Sequence, residues 1–145
     1  MNYLFNTSFE TLNIELGRVQ TTKGIFLGYE NELLILDEEG TDSRERGDNK
    51  SFENFFSSFS MLCSDIIIIN MWTVDVGRDE SLTEMFSIMF YSYLKLKGSH
   101  EKKKKIFIVL RDFHESFDKK FCIQTLKNDI EKAWKDVNNT YQLNN

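Results

Sequence analysis

A run of four isoleucines, Ile66–Ile69, constrains the fold of this chain more than any other feature of its sequence. Continuous β-branched runs are typical of strands buried on both faces, as in a parallel sheet with a helix layer on each side. The apolar run Lys105–Arg111 has the same character. We therefore expect Asp65–Met71 and Lys105–Arg111 to be strands of a parallel sheet.

Two shorter apolar segments, Gly24–Tyr29 and Glu32–Leu36, come earlier in the chain. Only Glu30 and Asn31 separate them, and a two-residue connection is typical of a β-hairpin. We predict that they form an antiparallel hairpin at one side of the sheet.

Apolar side chains at helical spacing fill the gaps between the strands. The three sets are Phe52, Phe55, Phe56, Phe59 and Cys63; Leu82, Met85, Phe86, Met89, Phe90 and Tyr93; and Ile123, Leu126, Ile130, Ala133, Trp134 and Val137. Alternating strands and helices predict a three-layer α/β domain with a mostly parallel sheet and one antiparallel hairpin. We assign residues 1–137 to this domain and expect the polar tail, 138–145, to fray.

The composition excludes several classes of protein. The 145 residues are 41% hydrophobic and 28% charged, with a net charge of −5, as in a globular domain. An acidic balance argues against nucleic acid as a partner, because phosphate binders usually present a basic face. No apolar run approaches the roughly 20 residues that span a bilayer. Cys63 and Cys122 lie among apolar residues, so we expect both to be buried, reduced thiols.

Charged residues follow the strands at the edge where α/β sheets bind ligands, beyond the carboxyl ends. Asp37 and Gly40 form a D-x-x-G pattern after an apolar strand. Such an aspartate can hold Mg²⁺, usually through water, and the glycine N–H can approach a γ-phosphate because no Cβ obstructs it. A threonine of the preceding QTTKG segment can supply a hydroxyl to the metal. Asp112, in VLRDF, can accept both N–H donors of guanine.

Four segments together resemble the GTPase (G) domain of the Root Hair Defective 3 family, which are dynamin-like GTPases related to atlastins and, more distantly, to guanylate-binding proteins. They are GRVQTTKGIFL, LDEEGTDSRERGD, DIIIINMW and FIVLRDF, and the resemblance extends from about residue 2 to about residue 134. It implies a P-loop NTPase-like fold that acts on GTP with Mg²⁺. It further implies a homodimer formed through G domains and fusion of endoplasmic reticulum membranes, with the parent protein at their cytoplasmic face.

The resemblance also implies roles for individual residues. Thr22 matches the switch I threonine that meets Mg²⁺ and positions the attacking water. Asp37 and Gly40 match the switch II pair. Asp112 matches the residue that reads guanine. For Arg111 two interpretations stay open: a residue that packs against the base or holds its loop, or a surface arginine at a strand end. For Arg44 and Arg46 two interpretations stay open: plain surface charges of switch II, or contacts with phosphate or with a second G domain.

One departure from the family is large. A P-loop requires G-x-x-x-x-G-K-[S/T], whose amides and lysine cradle the phosphates, and this sequence contains no Gly-Lys pair. We therefore expect the chain to begin just after the P-loop, as a G domain incomplete at its N-terminus that cannot hydrolyse GTP alone. A truncated gene product and a genuine product without a P-loop both fit. The membrane-spanning parts of the family would lie outside these residues.

Two alternatives to a GTPase fragment remain open. One is a metal-dependent phosphoesterase in which Asp37 and Glu39, on the same face of the strand end, bind Mg²⁺ or Mn²⁺. The other is a non-catalytic interaction module, a degenerate G domain that keeps only its dimer surface.

Overall fold

A computed structural model describes residues 2–9, 22–39, 50–77, 80–95 and 103–143. Within these ranges the helices are α1 (Asn2–Phe5), α2 (Lys50–Cys63), α3 (Glu80–Lys95) and α4 (Lys119–Leu143). The strands are β1 (Ile25–Glu30), β2 (Leu33–Glu38), β3 (Ile66–Trp72) and β4 (Lys105–Arg111), and a 3-10 turn, Thr73–Asp75, follows β3. The chain divides into two compact units, residues 1–52 and 53–145.

The first unit is built on the hairpin of β1 and β2. The strands pair antiparallel along their whole length, with Ile25 opposite Glu38 at the open end. The turn residues Asn31 and Glu32 have positive φ angles of 50° and 65°. Positive φ at both central residues is typical of a type I′ turn, whose twist matches that of the strands. The predicted hairpin is confirmed, with its turn one residue later than expected.

Gly28 of β1 allows the N-terminal segment to lie against the hairpin. A β-carbon at position 28 would lie only 2.8 Å from Cζ of Phe9, closer than two carbon atoms can approach. The Asn2 side chain holds this segment in place, because it accepts from the Phe9 N–H at 3.0 Å and donates to the Phe9 carbonyl at 2.9 Å. A larger residue at position 28 would therefore require the Phe9 ring to shift.

The second unit is a parallel pair of strands packed against helices. In the pair, Ile66 lies opposite Lys105 and Trp72 lies opposite Arg111. One face of the pair and the helices share a core of buried residues: Met61, Ile67, Leu82, Phe86, Met89, Leu126 and Ala133. Ile69, Met71, Ile106, Ile108 and Leu110 of the strands pack against this core. The parallel pairing of these strands is confirmed.

Aromatic contacts join α3 to α4. The rings of Phe90 and Trp134 meet edge to face with centroids 5.4 Å apart. Phe86 is fully buried and stacks on Phe90 at 5.9 Å. Such pairs add to the free energy gained from burial of their area. The apolar stripe predicted for α3 is therefore the core face of that helix.

The isoleucine run is buried on one face only, and the prediction of burial on both faces is wrong. Ile67 is buried, whereas Ile66 and Ile68 are 52% and 43% exposed. Phe107 and Val109 of β4 are also exposed. The core lies against the opposite face, so alternate side chains along each strand point away from it. The α/β class is confirmed. The described residues form two two-stranded sheets, and the three-layer arrangement stays a prediction.

Some of the side chains predicted to be buried are exposed. Cys122 is buried as expected, but Cys63, at the end of α2, is exposed. Phe55, Ile123 and Trp134 also have substantial exposure. Each lies at the border of its apolar stripe, and a helix buries only the part of the stripe that meets a partner. The stripe width in the sequence therefore overestimates the buried width.

Helix α4 continues through residues 138–143, part of the segment that we expected to fray. The Val137 side chain of α4 is buried, and beyond it the Thr140 hydroxyl donates to the Asp136 carbonyl at 2.9 Å. Extending a formed helix costs little, because each added residue gains a hydrogen bond. Although α4 has 25 residues, no helix in the described ranges is both long and apolar enough to cross a membrane.

Candidate functional site

The base of the hairpin brings together two of the residues that the sequence singles out. Thr22 lies three residues before β1, and Asp37 is the last residue but one of β2. The Thr22 hydroxyl donates a hydrogen bond to Asp37 Oδ2 at 2.9 Å. Thr22 is 9% exposed, so water competes little for this bond. The antiparallel course of the strands makes neighbours of two side chains that are distant in the sequence.

A second pair of residues fixes the hairpin base beside the first. The Glu39 N–H donates to the Gly24 carbonyl at 2.9 Å, and the Gly24 N–H donates to Glu39 Oε2 at 2.7 Å. Gly24 has φ of +83°, which favours glycine, and open space surrounds the position of a β-carbon. The backbone angle, not crowding, therefore requires glycine there. These two bonds hold the segments that carry Thr22 and Asp37 together.

The Thr22–Asp37 pair offers some of the oxygen ligands that a magnesium site requires. Mg²⁺ takes oxygen ligands and is usually held by one or two carboxylates together with phosphate oxygens and water. A hydroxyl and a carboxylate are ligands of this kind, so these residues fit Mg²⁺ when a phosphate group completes the site. Across the described ranges, no group of three or more histidine, cysteine, aspartate or glutamate side chains converges as a metal site would.

Glu39 is a structural residue in this arrangement. Its side chain is 2% exposed, and Oε2 accepts from backbone. The phosphoesterase alternative instead requires Glu39 to hold a metal together with Asp37. In the described part of the chain, no third metal-ligating carboxylate, histidine or cysteine joins these two.

Several residues of the predicted site lie outside the described ranges. Gly40, the predicted partner of a γ-phosphate, directly follows the last described residue of this segment. Arg44 and Arg46 also lie outside. Their predicted roles stay predictions.

In the second unit, the two remaining candidates lie at the carboxyl end of β4. The guanidinium carbon of Arg111 lies 3.7 Å from the centroid of the Trp72 ring, a close cation–π contact. Trp72 is the strand partner of Arg111 in the parallel register. The arginine side chain therefore contacts the end of the neighbouring strand.

Asp112 begins the loop after β4 in an unusual backbone conformation. Its φ is +54°, a region that aspartate enters more readily than most residues. Its side chain is exposed. The Arg111 carbonyl just before it accepts a hydrogen bond from the Thr73 hydroxyl at 2.8 Å. An exposed carboxylate on a fixed strand end has the chemistry to accept N–H donors from a ligand.

The sequence did not reveal three of the residues that shape these two strand ends. Trp72 and Thr73 support Arg111, and Gly24 pairs with Glu39. Each contact depends on strand register across long sequence separations. The only local signal was the Lys-Gly step before β1, since glycine there is consistent with a positive φ.

Comparison with known proteins gives one consistent family. The family model described as "Root hair defective 3 GTP-binding protein (RHD3) GTPase domain" matches residues 1–145. The Protein SEY1 homolog of Dictyostelium discoideum is 40% identical over an alignment 147 residues long. The alignment covers 94% of this chain and 16% of that protein. Protein ROOT HAIR DEFECTIVE 3 homolog 2 of Oryza sativa subsp. japonica is 36% identical over 143 residues, covering 94% and 17%.

A fungal relative extends the comparison. Protein SEY1 of Eremothecium gossypii is 33% identical over 153 residues, covering 95% of this chain and 19% of that protein. The chain therefore spans less than a fifth of the length of these curated relatives. Since the family model matches every residue, the chain belongs to the Root hair defective 3 (RHD3) GTPase domain family.

Proposed function

We propose that this chain is part of a dynamin-like GTPase that hydrolyses GTP with Mg²⁺. The observation that carries the proposal is the Thr22–Asp37 hydrogen bond of 2.9 Å, in a chain that belongs to a GTPase domain family. A hydroxyl beside a carboxylate provides oxygen ligands for an Mg²⁺ ion that is bound to a triphosphate. The proposal concerns the whole protein that contains these residues.

In this proposal, the first unit supplies the residues nearest the γ-phosphate. Asp37 holds Mg²⁺, directly or through water, and Thr22 offers its hydroxyl to the metal and to the attacking water. The Gly40 N–H approaches the γ-phosphate. Bound Mg²⁺ would neutralise charge on the β- and γ-phosphate oxygens. The Gly24–Glu39 bonds keep Thr22 and Asp37 in a fixed relation.

The carboxyl end of β4 is proposed to recognise the base. Asp112 accepts hydrogen bonds from N1–H and the exocyclic amine of guanine. Adenine offers an unprotonated N1 and no amine at C2, so it cannot make this pair of bonds. Arg111 holds the loop through its contact with Trp72.

The cradle for the triphosphate is proposed to come from elsewhere in the whole protein. No Gly-Lys pair occurs among these 145 residues, so they contain no P-loop sequence. The wider biological role also rests on the family alone. We include in the proposal pairing of two G domains and fusion of endoplasmic reticulum membranes, with the chain on their cytoplasmic face.

The test is nucleotide turnover by the whole protein. We expect GTP hydrolysis with Mg²⁺, loss of hydrolysis in EDTA and recovery when excess Mg²⁺ is returned. ATP serves as the matched control and should be hydrolysed far more slowly. Equal turnover of ATP and GTP would contradict the role of Asp112, and turnover that persists in EDTA would contradict the metal.

A non-catalytic module is the second candidate, and the lack of a P-loop sequence in these residues is the observation that favours it. That candidate predicts self-association that does not depend on nucleotide. Sedimentation of the whole protein, with no nucleotide and with GTP plus Mg²⁺, separates the two candidates. Dimerisation only with GTP supports the GTPase, and equal dimerisation in both conditions supports the module.

A further inference from the structure

Two neighbouring residues, Trp72 at the end of β3 and Thr73 just after it, contact Arg111, the residue before Asp112. Thr73 begins the 3-10 turn after β3 and is 2% exposed. Its hydroxyl reaches across to β4 and donates to the Arg111 carbonyl at 2.8 Å, although 38 residues separate them in the chain. Trp72, the preceding residue, carries the Arg111 guanidinium on its ring at 3.7 Å. The last residue of β3 and the first residue of the 3-10 turn therefore hold the side chain and the backbone of Arg111, respectively.

The consequence for Asp112 follows from the geometry of the peptide bond. The Arg111 carbonyl and the Asp112 nitrogen belong to one planar unit. A hydrogen bond that fixes the carbonyl therefore fixes the orientation of the bond about which the φ of Asp112 rotates. That φ is +54°, in a region that few non-glycine residues occupy. The Thr73 bond therefore fixes the peptide plane from which Asp112 extends.

We propose that Thr73, with Trp72 beside it, is a positioning residue for Asp112 and thereby sets the selectivity of the site for guanine. This inference rests on the proposed function, in which Asp112 reads the base. Thr73 is buried and acts through the Arg111 carbonyl, so it need not touch the nucleotide. Its hydroxyl is the feature that matters, because a valine has nearly the same shape and cannot donate.

The experiment compares the wild-type whole protein with Thr73→Val and Thr73→Ser. The readout is kcat/KM for GTP divided by kcat/KM for ITP, which lacks the exocyclic amine of guanine. We expect Thr73→Val to raise KM for GTP by about tenfold and to lower the GTP to ITP ratio by a similar factor, since a misplaced acceptor loses its discrimination. The turnover number should stay within about twofold, because Thr22 and Asp37 are unchanged. Thr73→Ser, which keeps the hydroxyl, should behave as wild type.

The matched control is Thr83→Val, which changes a half-buried threonine of α3. It should leave both KM and the ratio unchanged. If Thr73→Val does not fold, Trp72→Leu and Trp72→Phe test whether support of the Arg111 side chain positions Asp112. Leucine removes the ring and should lower the ratio, and phenylalanine keeps a ring and should preserve most of it.

Three results would overturn the inference: an unchanged GTP to ITP ratio in folded Thr73→Val, equal losses in Thr73→Ser and Thr73→Val, or a fall in kcat at unchanged KM. If Thr73→Val does not fold, an unchanged ratio in Trp72→Leu would also overturn it. Failure of the proposed function looks different, because then the wild-type protein itself would not turn over GTP.

Discussion

The hydroxyl of Thr22 and the carboxylate of Asp37 are joined by a hydrogen bond of 2.9 Å at the base of the β1–β2 hairpin. We propose that the two residues come from switch I and switch II of a GTPase. Gly24 and Glu39 link the same two segments through two further hydrogen bonds. The hairpin thus joins the proposed metal-binding residues in one structural element.

The role of the Thr22 hydroxyl can be tested by removing it. In the whole protein, we expect Thr22→Ala to lower kcat for GTP by about 10²-fold or more, or ~3 kcal/mol of transition-state stabilisation. Nucleotide affinity should change much less, because most phosphate contacts are proposed to lie elsewhere. Thr22→Ser keeps the hydroxyl and serves as the control. Unchanged single-turnover rates in Thr22→Ala would exclude a role in the chemical step.

Asp37 should matter for binding as well as for chemistry. Asp37→Ala removes a proposed ligand of Mg²⁺, so both nucleotide affinity and kcat should fall. The concentration of Mg²⁺ at half-maximal turnover should rise, since fewer ligands remain. A titration with Mg²⁺ at saturating GTP measures this. An unchanged Mg²⁺ requirement would show that Asp37 does not hold the metal.

Glu39 separates the GTPase from the phosphoesterase alternative. Glu39→Ala leaves the Gly24 N–H without its carboxylate acceptor and should lower the free energy of unfolding by about 1–3 kcal/mol. On the GTPase account turnover is only reduced, and Glu39→Gln, which keeps an acceptor oxygen, restores most of it. Denaturant unfolding and turnover assays measure the two effects. Loss of all activity in both variants would favour a metal-ligand role for Glu39.

Because the parallel strands expose apolar side chains on one face, we predict that the isolated 145-residue chain self-associates. Ile68 and Phe107 are exposed neighbours on that face, and exposed apolar patches favour association. Light scattering should show an average molecular mass that rises with protein concentration. The double change Ile68→Thr and Phe107→Thr should reduce this rise. Phe121→Thr, on the exposed surface of α4, is the control. A monomer at all concentrations would show that the face needs no cover.

The sequence predicted the elements that depend on local pattern. Strand β4 was placed without error, and the hairpin follows from a two-residue break between apolar runs. The sequence could not predict which face of Ile66–Ile69 meets a partner. A run of β-branched residues looks the same in a strand buried on one face and in a strand buried on both faces. Cys63 is exposed because it lies at the end of the apolar stripe of α2.

The candidate site divides in a similar way. Asp37, Arg111 and Asp112 were singled out by residue type and by place at strand ends, and Thr22 through the resemblance to the family. Their contacts were not, because the Thr22–Asp37 bond depends on hairpin register and the Trp72–Arg111 contact depends on parallel register. Register is fixed by packing over distances that no short motif contains.

The central claim is a GTPase in which Asp112 reads guanine, and the most direct measurement is nucleotide choice by the Asp112→Asn variant of the whole protein. Asparagine keeps one acceptor and places an NH₂ donor where guanine also has a donor, whereas xanthine has an acceptor there. We predict that wild type hydrolyses GTP in preference to XTP and that the variant reverses or strongly narrows this ratio of kcat/KM. A wild-type protein without selective GTP turnover, or a variant with an unchanged ratio, would contradict the account.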